Sequence, residues 1–224
     1  MAGDGRSSAI SDALDDKLMG TITNYATLQS TIADYLNRAD LTSQIQTFIQ
    51  FVEADLNTRL RNREMIVNAT ATSDGQFVAL PPDWLEAINM MIVGGQSPLR
   101  YITPDEADTI IKAQTYTSTR FYSMTTGVIE LVPPAVDDIT IDMVYYGKIP
   151  ALSETNTTNW LLTKAPDVYL YGALSHAAPF LMDDARMGTF GQIYLARVQS
   201  LQDESQKALH SGSPLISRPR GVYG

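Results

Sequence analysis

Three adjacent acid pairs, Asp15-Asp16, Asp137-Asp138 and Asp183-Asp184, are the first places where this sequence could hold a divalent cation or run acid–base chemistry. None sits in a D-x-D-x-D-G loop of the kind that wraps calcium. Asp137-Asp138 falls in a predicted turn. Asp183-Asp184 suits a helix start, where carboxylates satisfy free N–H groups. If the chain cleaved glycosidic bonds it would need two carboxyls facing one cleft, and Glu64, Glu86 and Glu130 are the candidates. The two histidines, His176 and His210, fall on different predicted helices, so no histidine metal site is expected. The chain has no cysteine. That removes disulfides, thiolate nucleophiles, zinc–cysteine sites and iron–sulfur ligation by cysteine.

Other motifs that carry chemistry are missing. There is no G-x-S-x-G elbow, no G-x-G-x-x-G and no H-E-x-x-H. Gly147-Lys148 lacks the upstream glycine of a P-loop, and Ile149 follows it. Asn68-Ala69-Thr70 and Asn156-Thr157-Thr158 match glycosylation acceptors, but with no secretion signal expected they read as chance matches. Tyr145-Tyr146, Tyr169 and Tyr171 could form a base- or sugar-stacking surface, although strand and helix packing is the expected use. The sequence therefore points to a protein that is not an enzyme and takes no cofactor or metal.

Composition narrows the class further. The 224 residues are 44% hydrophobic and 18% charged, an ordinary globular balance. No apolar run approaches the roughly 20 residues that span a bilayer, so a soluble protein made in a cytoplasm is expected. With 25 acidic and 16 basic residues the formal net charge is −9. Proteins that grip nucleic acid neutralise phosphates with Lys and Arg, and this chain is not built for that. An acidic wall does suit a conduit along which DNA slides.

The elements expected to carry these residues change period twice. Residues 1–24 read as an N-terminal arm, with Ile10, Leu14 and Leu18 enough for one short amphipathic helix. A helix is predicted after Thr27, with Leu28, Ile32, Tyr35 and Leu36 on one face. Asn37 to Asp40 break it. A second helix, capped by Thr42, carries Ile45, Phe48, Ile49, Val52, Leu56 and Leu60 as a stripe to about Arg61. Arg59, Arg61 and Arg63 suit the negative pole of its dipole.

From Met65 the pattern alternates. Strands are predicted over 65–72, 77–80, 87–93, 99–102, 121–124, 128–132 and 139–146, with Gly94-Gly95 as a hairpin turn joining the third to the fourth. Thr103-Pro104-Asp105-Glu106 reads as a capping box for a short helix to Lys112.

After Pro150 helices return. Asn159 caps a turn in which Trp160 is expected to anchor the chain in the core. Pro166 opens a helix through Phe180. Asp183-Asp184 opens a last one through Met187, Phe190, Tyr194, Val198 and Leu201, ending near Gly212. The expected fold class is α+β. Residues 25–63 and 158–212 form one discontinuous helical bundle, and 64–150 are an inserted antiparallel β-rich domain. Residues 213–224 form a C-terminal arm. That arm is net basic on an acidic protein. Arg218, Pro219, Arg220, Val222 and Tyr223 are residue types suited to docking on a partner.

Several stretches resemble the head-to-tail adaptors, or portal-binding connectors, of short-tailed bacteriophages. They include Tyr25-Ala26-Thr27-Leu28-Gln29-Ser30, Ile32 to Arg38, Phe48-Ile49 through Arg61, and Arg63-Glu64-Met65. Leu80 to Glu86 and Tyr145-Tyr146 through Ser153 are similar too. The most telling are Thr158 to Leu162, Ala165-Pro166-Asp167, Tyr169-Leu170-Tyr171 and Ala178 to Leu181. The resemblance covers roughly residues 25–209 and brings no catalytic residues with it.

The resemblance implies a virion protein: a ring of twelve copies under a portal, with a tail nozzle or other tail proteins below. Genomic DNA would pass through the ring without specific binding, and no membrane would be involved. The other readings carried forward are a virion peptidoglycan hydrolase, a stopper and a sugar-binding decoration module.

Overall fold

A computed structural model of the protein describes residues 22–114, 116–181 and 184–210. The predicted arms, 1–24 and 213–224, lie outside these residues except for the last three positions of the first. The chain divides into two compact units. One takes the residues up to Arg63 and those from Pro150 onward; the other is Glu64–Ile149.

The first unit is helical. Helix α1 (Tyr25–Leu36) begins earlier than the sequence pattern suggests, because Asn24 and Thr27 close a reciprocal cap. The Asn24 carboxamide oxygen accepts from the Thr27 N–H at 2.9 Å, and the Thr27 hydroxyl accepts from the Asn24 N–H at 3.0 Å. The helix stops where Asn37 turns left-handed at φ 51°.

Helix α2 (Thr42–Arg59) corrects a second expectation. Thr42 does not cap it; Leu41 occupies that position with no side-chain cap bond. Leu41 is instead buried, so packing rather than a hydrogen bond fixes the start. Its far end is closed by Arg61, whose guanidinium donates to the carbonyls of Asn57 at 2.9 Å and Leu60 at 2.7 Å.

Helix α4 (Trp160–Lys164) is capped by Asn159, and α5 (Pro166–Phe180) starts on its proline. Helix α6 spans Asp184–His210. The α2 stripe Ile45, Ile49, Val52 and Leu56 is fully buried, as are Leu28, Ile32, Leu161, Val168 and Leu174. Each such side chain contributes about 1.5–3 kcal/mol by leaving water.

Two expectations about this core fail. Tyr35 is exposed, and Trp160 is only half-buried while Leu161 and Leu162 enter the core. A stripe read at 3.6 residues per turn gives a helix face, but its edges depend on how far the neighbouring helices reach.

The second unit holds helix α3 (Pro104–Ala113) and seven strands: β1 (Ile66–Thr72), β2 (Phe77–Ala79), β3 (Trp84–Ile92), β4 (Arg100–Tyr101), β5 (Phe121–Thr125), β6 (Val128–Val132) and β7 (Thr140–Gly147). They form a three-stranded sheet in the order β1-β7-β3 and a four-stranded sheet in the order β2-β6-β5-β4. Both contribute to one core. Met90, Ile141, Met143 and Tyr145 come from the first sheet, and Val78, Tyr122, Ile129 and Leu131 from the second. Helix α3 closes a smaller cluster through Ala107 with Ile102 and Val132.

The predicted hairpin at Gly94-Gly95 is real only at its tip. Gly94 sits at φ +80°, and the chain returns through a Met91–Pro98 bridge and a Leu99 N–H that donates to the Met90 carbonyl at 2.8 Å. The chain then crosses to the other sheet, where β4 pairs in parallel with β5. The inserted unit is thus not wholly antiparallel.

Candidate interaction site

The two helical segments are held together by polar contacts as well as by apolar packing. Tyr194 on α6 donates its hydroxyl to Asp55 on α2 at 2.8 Å, and Asp55 also holds Arg59 at 2.6 Å. The Asn62 carboxamide donates to the Leu201 carbonyl at 3.3 Å, the Arg63 N–H to Ser205 at 2.9 Å, and Gln202 to the Arg59 carbonyl at 2.7 Å. Arg197 on α6 pairs with Asp167 on α5, and Lys164 on α4 with Glu204 on α6. The last helix is therefore fastened along the exit of α2.

Glu53 fixes the returning chain. It is 6% exposed, and its carboxylate accepts the Leu152 N–H at 2.7 Å. Burial raises its pKa, against these hydrogen bonds. Beside it the Asn159 amide donates to the Pro150 carbonyl and to the Tyr169 hydroxyl, both at 2.8 Å, while its oxygen accepts the Leu162 N–H at 2.8 Å. Burial is also the main reason that the Tyr169 hydroxyl is pushed far above the ordinary tyrosine range. Asn159→Ala strips a helix cap and two donor bonds at once, one of them buried. Its expected cost is about 2–3 kcal/mol in chemical denaturation, read as a lower midpoint with an unchanged slope.

The acids singled out for chemistry do not converge. Glu64 is exposed in the 3₁₀ turn Arg63–Met65, and Glu86 is exposed on β3. Glu130 lies on β6 of the other sheet, where it accepts from Gln76 at 2.9 Å. None lines the cleft of about 670 Å³ in the β unit, and no other carboxylate does. Asp137 and Asp138 are exposed in the β6–β7 loop. Asp15, Asp16 and Asp183 lie outside the described residues, as do Arg218, Pro219, Arg220, Val222 and Tyr223. Among the described residues no group of three or more His, Asp or Glu is placed to hold a metal ion, and no helix is long and apolar enough to cross a membrane.

The tyrosines do not share a surface. Tyr145 is buried in the β core, where it stacks on Trp84 at 4.7 Å and donates to Asp83 at 2.9 Å. Burial, with help from Asp83, pushes its hydroxyl up to about 12. Tyr169 is buried in the helical core, and Tyr146 and Tyr171 are half-buried.

What the helical unit does present is an aromatic edge between α2 and α5. Phe51 is 51% exposed and Phe180 53% exposed. Phe51 meets His176 edge-on at 5.7 Å, and Phe180 meets Phe48 at 5.8 Å. Burial lowers the His176 pKa against the opposing effect of Asp55, which favours the neutral ring beside Phe51. The two half-exposed phenylalanines give the helical unit an apolar feature at this edge. The sequence held one signal for it: Phe51 falls between buried positions of the α2 stripe yet off its face.

The described residues form an α+β chain whose helical unit is made from segments distant along the sequence. The family model of the SU10 adaptor protein matches residues 23–218, and the chain belongs to that family. It is a family of structural adaptor proteins of phage virions rather than of enzymes. No curated protein matches the chain.

Proposed function

We propose that the chain is the head-to-tail adaptor of a short-tailed phage, a ring of twelve copies that attaches to the portal and carries the tail proteins below. The observation that carries this reading is the aromatic edge of Phe51 and Phe180 on a helical unit of the adaptor family. In a closed ring each copy presents one face to a different face of its neighbour, and this edge is one of the two. The C-terminal residues Arg218, Pro219, Arg220, Val222 and Tyr223 dock on the portal. Their proline limits the entropy lost on ordering, and twelve weak tails act together through avidity. The net charge of −9 suits a channel wall that lets DNA slide.

Removing residues 213–224 tests the docking part. The shortened protein should melt as the full chain does and bind portal at least about a hundredfold more weakly, since avidity multiplies small losses. Unchanged co-sedimentation with portal would remove the tail from the mechanism.

A further inference from the structure

The cleft of the β unit has a chemistry of its own. Arg100 and Arg120 line it together with Tyr116 and the apolar Ile92, Leu99 and Phe121. Arg100 on β4 pairs with Phe121 on β5, and its N–H donates at 3.1 Å to the carbonyl of Arg120, the residue before that strand. The Arg120 guanidinium stands 5.7 Å from the centre of the Tyr116 ring, which in turn meets Phe121 edge-on at 5.2 Å. That places a cation against a flat apolar wall.

Four other arginines have partners. Arg38 holds Asp40, Arg59 holds Asp55, Arg197 holds Asp167, and Arg61 holds two carbonyls. Arg100 and Arg120 hold no carboxylate among the described residues, and both are exposed. The chain has 25 acids against 16 bases. Two uncommitted guanidiniums in one cleft are therefore matched to a carboxylate brought from outside the unit. Arginine beside aromatic and apolar walls is also a common composition of binding hot spots.

We propose that this cleft receives an acidic segment of a second copy of the chain, residues 8–21. This rests on the ring reading above. The segment carries Asp12, Asp15 and Asp16 among Ile10, Leu14 and Leu18, so it offers both the charge and the apolar groups that the cleft faces. Duplex DNA fits less well, because an acidic chain repels phosphates outside the cleft.

A fluorescent peptide of residues 8–21, titrated into the dilute full-length chain, tests the assignment. Micromolar binding is expected, weakened at least tenfold by R100E/R120E and reduced by the milder R100Q/R120Q. A peptide with its three aspartates changed to asparagine should also bind at least tenfold more weakly. Absent binding, or binding indifferent to these changes, overturns the inference. So does displacement of the peptide by stoichiometric duplex DNA. Tighter peptide binding by a full chain carrying D12N/D15N/D16N would show that each chain fills its own cleft, which overturns the second-copy assignment. Portal rings that form while peptide binding is absent overturn this inference alone. Peptide binding without portal rings supports it and overturns the portal reading.

Discussion

Phe51→Gln combined with Phe180→Gln should leave the chain folded and abolish ring formation on the portal. Each phenylalanine leaves about half its surface in water. Covering roughly 100 Å² of it at an interface yields about 2–3 kcal/mol. Two such anchors supply about 5 kcal/mol per contact between copies, so their loss weakens each contact by at least about a thousandfold. Glutamine keeps the helix propensity of α2 and α5. Inside the fold the variant gives up the edge contacts to His176 and Phe48 and part of the covered half of each ring, worth about 2 kcal/mol apiece. Sedimentation of the variant with portal checks the prediction. Full-sized complexes would show that copies meet elsewhere.

The second large effect is expected at Gly172, where three helices meet. A Cβ there would lie 2.8 and 2.9 Å from the two methyls of Val52 on α2 and 3.1 Å from the Tyr194 ring on α6. Gly172→Val therefore has to push two buried side chains off their rotamers, at a cost of about 3 kcal/mol or more. It would also disturb Tyr194 and its hydrogen bond to Asp55. Gly188 on α6 is the contrast: a Cβ there meets nothing within 4 Å. Gly188→Ala should stabilise by up to about 1 kcal/mol. Thermal melts of the two variants should shift in opposite directions. Equal shifts would mean that α2, α5 and α6 do not meet at Gly172.

Most of the α+β order was legible because each change of period has a simple physical cause. The α2 stripe and the alternation of β1 follow from single residues and their spacing. Asn159 and Pro166 could be read as helix starts for the same reason. Errors cluster where the decision belongs to distant neighbours. Leu41 displaces Thr42 at the start of α2 because it is buried. β4 leaves its hairpin after Leu99 and pairs with β5 instead. Trp160 stays half in water while Leu161 and Leu162 enter the core. At the site, the acids looked available one by one, but only the fold shows that Glu86 and Glu130 belong to different sheets. Phe51 was overlooked although it falls off the face of the α2 stripe, because an apolar side chain on an amphipathic helix is readily taken for core until its partners are known. Glu53 was missed for the opposite reason, since a charged residue reads as surface unless the Leu152 amide that meets it is in view.

Electron microscopy of the full-length chain mixed with its portal addresses the main claim most directly: the two distant helical segments form one scaffold used for contact with other subunits. A ring of adaptor density under the portal is expected, with neighbouring copies touching through the α2–α5 edge. Bare portal rings beside dispersed adaptor, at concentrations well above those of assembly, would contradict it.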